Sequence, residues 1–241
     1  MNQKLHREVI KYDIVDYCNL NCRNCGHFSQ FKTSGERSIQ QLETDITLLC
    51  NKITMNQFHI FGGEPLLHSN IIGVIVTLRK ILGKDVEIRL LTNGLKINSM
   101  KDVFFRMVKH LNISIELTEY ILPVDYEKIK KKITSYGIPM IVRVTKEFYN
   151  FMDISGTQNS EESFKLCSMC EHTYYEDGKI FLCAYVKSVP FVNEHFGYKI
   201  EHDCVSINDS IESIQKYLTN HCSTCRFCKS SRQPEKWRIN D

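Results

Sequence analysis

Apolar and polar residues follow two regular patterns over the first 145 residues. Strand-like runs cover about residues 8–16, 57–61, 86–92, 112–118 and 138–145. Between them, apolar residues recur every three or four positions, as on one face of a helix, over 39–49, 71–82, 103–108 and 129–136. Ser38 and Ser69 are the predicted N-caps of the first two helices, and Gly83 and Gly137 are predicted helix ends. This alternation predicts parallel strands joined by right-handed crossovers.

Several predicted strands alternate between apolar and polar residues, whereas strands of a fully covered parallel sheet are continuous apolar runs. If the apolar residues pack beneath the helices, the polar residues line the inside of a barrel and suit a small polar substrate. The alternative is that some of these strands are edges with one solvated face. The polar residues concerned are Lys11, Asp13, His59, Glu87, Arg89, Ser114, Glu116, Thr118, Arg143 and Thr145.

The pattern changes after Lys146. Residues 146–163 have no clear period and are predicted to form a linker. A hairpin is predicted over 173–183, with an Asp177-Gly178 turn and Cys183 on its returning strand, followed by a helix from about Asp209 to Leu218. We therefore predict a barrel over residues 1–148, and a linker with a small cysteine-rich α+β unit over 149–241.

The composition limits which binding partners and which cellular compartment are expected. The 241 residues carry a net charge of +3, from 31 basic and 28 acidic residues, so no nucleic acid is expected. A dense basic run at 128–132 falls on a predicted helix and is interpreted as a solvated face. No apolar run reaches the roughly 18 residues that span a bilayer, so a cytoplasmic protein without a membrane partner is expected. The 11 cysteines, an odd number partly in C-x2-C pairs, indicate metal binding in a reducing compartment.

Three cysteines, Cys18, Cys22 and Cys25, directly follow the first predicted strand with the spacing C-x3-C-x2-C. Three thiolates on one tight loop can hold three irons of a 4Fe-4S cluster, which leaves the fourth iron without a protein ligand. The alternatives are a zinc knuckle or three unrelated core cysteines. Zinc prefers paired C-x2-C units, and the next cysteine, Cys50, stands alone in a helical pattern.

This spacing resembles the signature of the radical S-adenosylmethionine (SAM) superfamily. Residues 61–65, Phe-Gly-Gly-Glu-Pro, look like the family's Gly-Gly-Glu segment, whose backbone and carboxylate hold the SAM amino group. Residues 91–94, Leu-Thr-Asn-Gly, are similar to the family's Thr-Asn-Gly turn near the SAM ribose. The family usually has an aromatic residue before the third cysteine, packing near the adenine, where this chain has Asn24, and Phe28 is the candidate replacement. The resemblance implies these SAM-binding residues: Phe28, Gly62, Gly63, Glu64, Pro65, Thr92, Asn93 and Ser114.

The resemblance also implies the fold. The common core of the superfamily is a six-stranded partial barrel, and five strands with four helices are similar to the aminocyclitol dehydrogenase branch (2-deoxy-scyllo-inosamine dehydrogenase). We therefore expect an α/β protein: a partial (βα) TIM-like barrel of about five to six parallel strands, with a small C-terminal cysteine-rich α+β auxiliary cluster domain.

The later cysteines resemble the auxiliary cluster domain of radical SAM proteins, called SPASM in full form and Twitch when shortened. The similarity lies in Gly178-x4-Cys183 followed far downstream by C-x2-C. It implies one auxiliary 4Fe-4S cluster, and a structural zinc site is the alternative. The expected ligands are Cys170, Cys183, Cys225 and Cys228, with Cys167 and Cys222 as competitors.

The function implied by the resemblance is reductive cleavage of SAM to a 5'-deoxyadenosyl radical, which abstracts hydrogen from a small polar substrate in a net oxidation. Glu116, Arg143 and His59 are candidates to take a hydroxyl proton. A flavodoxin- or ferredoxin-type protein is the expected reductant. A precursor peptide is the alternative substrate, although the first strand begins by about residue 8 and leaves no room for a preceding peptide-recognition domain. An iron-sulfur activase, an electron carrier or a zinc-binding module is the alternative of another class.

Overall fold

The computed structural model describes residues 4–170, 172–229, 231 and 233–240. Its strands are β1 (Leu5–Val15), β2 (Ile53–Gly62), β3 (Glu87–Thr92), β4 (Ile113–Tyr120), β5 (Met140–Thr145), β6 (Glu147–Tyr149), β7 (Thr173–Glu176), β8 (Lys179–Phe181), β9 (Val205–Ser206) and β10 (Pro234–Lys236). Its α-helices are α1 (Ile39–Lys52), α2 (Ile71–Leu82), α3 (Asp102–His110), α4 (Tyr126–Ser135), α5 (Ser160–Lys165), α6 (Ala184–Phe196) and α7 (Ile211–Thr219). None of the helices in the described ranges is long and apolar enough to cross a membrane.

The main sheet has the strand order β5-β4-β3-β2-β1-β7-β8-β9. Its first six strands, β5 to β1 and then β7, are all parallel to their neighbours, and β8 and β9 add antiparallel pairs. The helices α1 to α4 connect the first five strands, as βαβ units require. The predicted α/β fold, a partial barrel of five to six parallel strands, is therefore confirmed.

The ends of the first two helices follow local side-chain chemistry. The Ser38 hydroxyl accepts a hydrogen bond from the backbone amide three residues on (3.2 Å) and caps α1 as predicted. The prediction of Ser69 as the N-cap of α2 is wrong, because Asn70 caps this helix with its side-chain oxygen. The Ser69 hydroxyl instead donates to Glu36 at 2.6 Å. Gly83 ends α2 with φ of 74°, as predicted.

The two faces of β1 differ in chemistry because successive strand side chains point to opposite faces. Ile10, Tyr12 and Ile14 are fully buried in the main hydrophobic core, and the Tyr12 hydroxyl donates to Asp45 of α1 at 2.8 Å. The intervening side chains, beginning with Lys11, face the inside of the barrel. This face positions the functional groups described below.

A row of polar residues crosses the inside of the barrel at one level. Lys11 of β1 pairs in register with His59 of β2, His59 with Arg89 of β3, and Arg89 with Ser114 of β4. The polar lining inferred from the alternation is therefore present on these four strands.

The alternative interpretation of the alternating strands, an edge strand with a solvated face, applies to β5, the last parallel strand. Ile141, Val142 and Val144 are 36%, 39% and 61% exposed, and the Arg143 side chain is 63% exposed. In the described chain β5 pairs on one side only, with β4, so its other edge is open.

The C-terminal part of the chain differs from the sequence predictions in several elements. The predicted linker contains β6 and α5, and the sheet continues across the proposed boundary at 148/149 because β7 pairs with β1. The predicted hairpin is present as β7 and β8, but Cys183 lies two residues beyond β8 and precedes α6. The sequence analysis does not predict helix α6. All of its first six residues, 184–189, are buried, so it lacks the solvated polar face of a surface helix, and it contains Pro190.

Candidate functional site

A cavity of about 160 Å³ lies at the C-terminal ends of β1 to β4, the end of a parallel barrel where active sites are found. The loop after β1 contributes all three cysteines of the first motif. Both of the other motif segments also border the cavity. The lining residues are Cys18, Leu20, Cys22, Cys25, Gly26, His27, Ser29, Phe61, Gly62, Gly63, Glu64, Leu91, Thr92, Asn93, Thr118, Tyr120 and Phe148.

The glycine pair after β2 allows the strand end to approach the cysteine loop closely. At Gly62, where φ is +134°, an added Cβ would lie 2.2 Å from the Val15 carbonyl oxygen. At Gly63 it would lie 1.9 Å from the Tyr17 carbonyl oxygen. The Gly63 amide donates to Val15 O (2.9 Å) and the Glu64 amide to Tyr17 O (3.0 Å). These contacts fix the backbone that leads into Cys18.

Glu64 joins the second motif to the third. Its carboxylate is 1% exposed and accepts hydrogen bonds from the Leu66 amide (3.1 Å), the Thr92 hydroxyl (2.6 Å) and the Asn93 amide (2.8 Å). Burial raises the pKa of Glu64 to about 7, against the effect of these three donors. The Asn93 side-chain amide donates to Asn19 at 2.8 Å, so the third motif is also bonded to the cysteine loop.

The thiols of the first motif are half-buried or buried. Burial raises the pKa of Cys18 to about 12 and that of Cys22 to about 11, while the indole of Trp237 acts on Cys22 in the opposite direction. These two thiols are thus protonated at neutral pH in the metal-free chain, and metal binding must displace their protons. Within the described ranges no group of three or more His, Cys, Asp and Glu side chains is arranged to hold a single metal ion.

The second group of cysteines surrounds a smaller cavity of about 20 Å³ between α5, the start of α6 and the turn at 223–227. Cys222 lies beside this group, with its sulfur 3.7 Å from that of Cys225. Burial raises the pKa of Cys183. Cys50 and Cys204 do not line the cavity. The cysteines that do are Cys167, Cys170, Cys183, Cys225 and Cys228. All four expected auxiliary ligands are therefore near one another, together with both competitors.

The three candidate catalytic residues do not line the cavity that holds the first cysteines. Glu116 is 3% exposed and forms ion pairs with Arg89 (3.0 Å) and with Arg143. His59 is also buried, and burial together with the positive charges of Lys11 and Arg89 lowers its pKa to about 3. Glu116 and His59 are buried on the inner face, whereas the Arg143 side chain is largely exposed, and the roles of all three stay predictions.

Two of the expected SAM contacts, Phe28 and Ser114, lie outside the cavity. The ring of Phe28 is buried against Tyr185 and Phe191 of α6, at centroid distances of 5.9 and 6.3 Å, because a φ of +55° turns it toward that helix. Ser114 donates to Glu87 at 3.2 Å. Neither residue lines the cavity, whose aromatic side chains are Phe61, Tyr120 and Phe148. Pro65 begins the turn after Glu64.

Lys11 occupies the inner face without a carboxylate within 4 Å in the described residues. Its Nζ atom lies 5.2 Å from the ring centroid of Phe61, which borders the cavity, and 5.5 Å from that of Tyr174. Burial lowers the pKa of Lys11 to about 8, in spite of the opposing charges of Glu116 and Asp13. The alternation of β1 predicts Lys11 on this face, but nothing in the sequence distinguishes it from its neighbours.

Further polar groups on this face were missed by the sequence analysis. Lys187 of α6 donates to Asp13 at 2.6 Å, and His27 lies 3.8 Å from the other oxygen of Asp13. Burial, partly offset by Asp13, lowers the pKa of His27 to about 4. Several buried atoms here have no hydrogen-bond partner among the described residues: Asp13 Oδ1, His27 Nε2, His59 Nδ1, His172 Nδ1 and Tyr174 Oη.

Two curated relatives of this chain are named GTP 3',8-cyclase. The protein of Moorella thermoacetica (strain ATCC 39073 / JCM 9320) is 30% identical over 124 residues, which cover 48% of this chain and 37% of the relative. The protein of Alkaliphilus metalliredigens (strain QYMF) is 33% identical over 113 residues, which cover 44% of this chain and 34% of the relative. The matches thus span about a third of the length of these relatives.

A crystal structure of BtrN in complex with AdoMet and 2-DOIA has the same fold. Its TM-score is 0.61 at 15% sequence identity, and the superposition covers 95% of this chain and 94% of BtrN. The model of the radical SAM superfamily matches residues 12–152, more than half of the chain. Because this match contains the three motifs that meet at the cavity, the chain belongs to the radical SAM superfamily, whose members use a 4Fe-4S cluster and SAM.

Proposed function

We propose that this radical SAM enzyme removes a hydrogen atom from a small polar substrate, such as a sugar, an aminocyclitol or a nucleotide-sugar, in a net oxidation. The carrying observation is the polar inner face of the barrel, where buried nitrogen and oxygen atoms lack partners within the described residues. When bound, the cluster and SAM supply a 5'-deoxyadenosyl radical that attacks C–H bonds. The protein must then orient the substrate, exclude water and accept a proton.

The residues at the cavity fit these two cofactors. Cys18, Cys22 and Cys25 border one cavity, and three thiolates suit three irons of a cubane. Glu64 and the backbone of the Gly-Gly and Thr-Asn-Gly segments would hold SAM, as the family resemblance implies. In support, a Cβ at Gly63 would lie 1.9 Å from the Tyr17 carbonyl oxygen, so only glycine lets this segment approach the cysteine loop so closely.

The inner face offers both charge and hydrogen bonds to a substrate. Lys11 supplies an amino group beside Phe61, which borders the cavity. His27, His59 and His172 are neutral at pH 7, because burial lowers the pKa of each to about 4 or below, so each ring presents one donor and one acceptor. Such an array suits several hydroxyl or amino groups on a small ring.

Among the inner-face residues, Lys11 has the pKa best suited to accepting a proton. A base works best when its pKa lies near the operating pH, and the pKa of Lys11 is about 8. His59, with a pKa of about 3, is a weak base, and Glu116 is held by two arginines. We therefore propose Lys11 in place of Glu116, Arg143 and His59 as the group that takes a substrate hydroxyl proton.

We further propose one auxiliary 4Fe-4S cluster at Cys170, Cys183, Cys225 and Cys228, with Cys167 and Cys222 as competing ligands. The grouping of these thiols around one cavity supports it. A cluster there would give the oxidation an internal electron acceptor. Zinc accepts the same four thiolates, and measured iron and sulfide content distinguishes the two metals. A flavodoxin- or ferredoxin-type protein is the proposed source of reducing electrons.

A precursor peptide is the second candidate substrate, and the open edge of β5 favours it. This edge has free backbone groups and exposed apolar side chains at Val142 and Val144, and an extended peptide adds to such an edge as a further strand. The small-substrate proposal is preferred because several unpartnered polar atoms lie on the inner face of the barrel, whereas none of those found in the described residues lies on β5.

The test begins with anaerobic reconstitution using iron and sulfide, followed by dithionite and SAM, with 5'-deoxyadenosine measured by chromatography. The wild-type protein should release 5'-deoxyadenosine, and Cys22→Ala should not. Sugars, aminocyclitols, nucleotide-sugars and extended peptides are then compared for substrate-dependent product. A protein with roughly eight irons, the content of two 4Fe-4S clusters, that forms no 5'-deoxyadenosine would contradict the proposal. Product from peptides alone would support the second candidate.

A further inference from the structure

The segment after β10 runs beside the cysteine loop and is bonded to it through the backbone. β10 pairs with β6, and the chain then continues toward Cys22. The Asn240 side chain also donates to Asn21 at 3.1 Å. The backbone contacts are Trp237 N to Lys146 O (2.8 Å), Arg23 N to Arg238 O (3.0 Å), Asn240 N to Asn21 O (2.7 Å) and a β-bridge between Cys22 and Ile239. Residues 234–240, here called the C-terminal strap, thus form one wall behind the first cysteines.

The side chain at the centre of the strap is Trp237, the only tryptophan of the chain. It is 4% exposed, and its ring lies 4.8 Å from that of Tyr120, which borders the cavity. The indole N–H can only donate, and it has no partner that meets hydrogen-bond geometry within the described residues. The Cys22 sulfur is close enough for the indole to act on it.

A buried donor without an acceptor is unfavourable, so its retention needs a physical reason. The sulfur of a neutral thiol is a weak acceptor, whereas a thiolate that ligates iron carries negative charge and accepts strongly. We infer that Trp237 is a positioning residue that donates its indole N–H to the Cys22 thiolate and raises the reduction potential of the SAM-binding cluster. The strap fixes the indole in place and shields Cys22 from water.

The direction of the effect follows from charge. Reduction adds an electron to the cluster and its sulfur ligands, so a donor aimed at a ligating sulfur stabilises the reduced state more than the oxidised state. Removing the N–H should therefore make the cluster harder to reduce. The ring itself should matter less, because its contact with Tyr120 does not involve the nitrogen.

The first test is Trp237→Phe in the reconstituted full-length protein, which keeps an aromatic ring and removes the donor. The midpoint potential is measured by an EPR-monitored redox titration without SAM, and the signal that changes on later addition of SAM identifies the first cluster. We expect the reduction equilibrium constant to fall about tenfold, a shift of about 59 mV to lower potential for one electron.

Ile239→Ala is the matched control. It lies in the same strap with a 48% exposed side chain, and its backbone bridge to Cys22 is independent of the side chain. Its cluster should keep the wild-type potential. A Trp237→Phe potential equal to or above that of the wild type would overturn the inference, and so would an equal shift in both variants, which would indicate general loosening of the strap.

Fluorescence provides a second readout that needs no Trp237 variant. Iron-sulfur clusters absorb across the emission band of indole, so a cluster at Cys22 should quench the single tryptophan. The measurement uses Cys183→Ala/Cys225→Ala, which keeps the first three cysteines, before and after loading with iron and sulfide. Emission that stays unchanged on loading would place the strap away from the cluster. Both tests are independent of the substrate, so they hold even if the proposed reaction is wrong.

Discussion

Replacing Gly63 by alanine tests whether the SAM cavity depends on the close approach of β2 to the cysteine loop. The added Cβ would lie 1.9 Å from the Tyr17 carbonyl oxygen and 3.0 Å from the Cys18 amide nitrogen. Heavy atoms in contact are about 3.5 Å apart, so the two segments must separate by about 1 Å or more. Both are backbone atoms, and no side-chain rotation relieves the clash.

The expected loss of stability follows from the bonds that this separation breaks. These are Gly63 N to Val15 O (2.9 Å) and Glu64 N to Tyr17 O (3.0 Å). Each is worth about 1 kcal/mol, and more where the released groups stay buried, so the free energy of unfolding should fall by about 2–4 kcal/mol. For a chain of this size the melting temperature should fall by about 4–16 °C. Cys18 moves with the loop, so iron binding should also weaken.

The assay is urea unfolding of the metal-free protein, combined with the iron content per chain after reconstitution. Gly197→Ala is the matched control: Gly197 has φ of +72° and nothing within 4 Å of an added Cβ. It should lose only the roughly 1–2 kcal/mol of a left-handed alanine and keep its iron. If Gly63→Ala unfolds at the same urea concentration as Gly197→Ala and binds equal iron, the close approach does not support the site.

Three further predictions concern other parts of the molecule. Cys22→Ala should abolish SAM cleavage, whereas Cys183→Ala should still form 5'-deoxyadenosine but no oxidised substrate. Normal turnover by Cys183→Ala would exclude an electron-acceptor role for the auxiliary cluster. Lys187→Met should lower the free energy of unfolding by about 3–5 kcal/mol in urea, because it leaves Asp13 buried without its cation; wild-type stability would contradict this. If Lys11 accepts a proton, substrate turnover should rise with pH through the Lys11 pKa of about 8, because only the neutral amine accepts a proton. Lys11→Met should remove that rise, and an unchanged pH profile in this variant would assign the proton transfer to another group.

The sequence predicts those parts of this site that depend on short motifs and on alternation within single strands. The three motifs each follow a strand, and parallel strands bring their C-terminal ends to one edge, so the order of motifs and strands is enough to place Cys18, Glu64 and Asn93 together. The same holds for the inner face, because alternation along the strands predicts that Lys11 and His59 share this face, where the structure pairs them in register. The periodicity of the sequence is sufficient to predict these features.

Long-range packing cannot be predicted in this way. The strap meets the cysteine loop through residues more than 200 positions apart, such as Asn21 and Asn240, and no local pattern encodes that contact. The distance along the chain suggests Phe28 at the adenine, but the positive φ at that residue directs its ring toward α6. The buried ion pair of Lys187 is also not predictable from local sequence, because the first six residues of α6 are buried on every side and show no amphipathic pattern.

The position of β1 has a consequence for biosynthesis. This strand leaves the ribosome before the other strands described here, yet one of its two partners in the sheet, β7, is made some 160 residues later. Until then one edge of β1 has free backbone groups, and a chain cut after residue 148 would keep that edge open and tend to aggregate. Expression of residues 1–148 alone is therefore expected to give insoluble material.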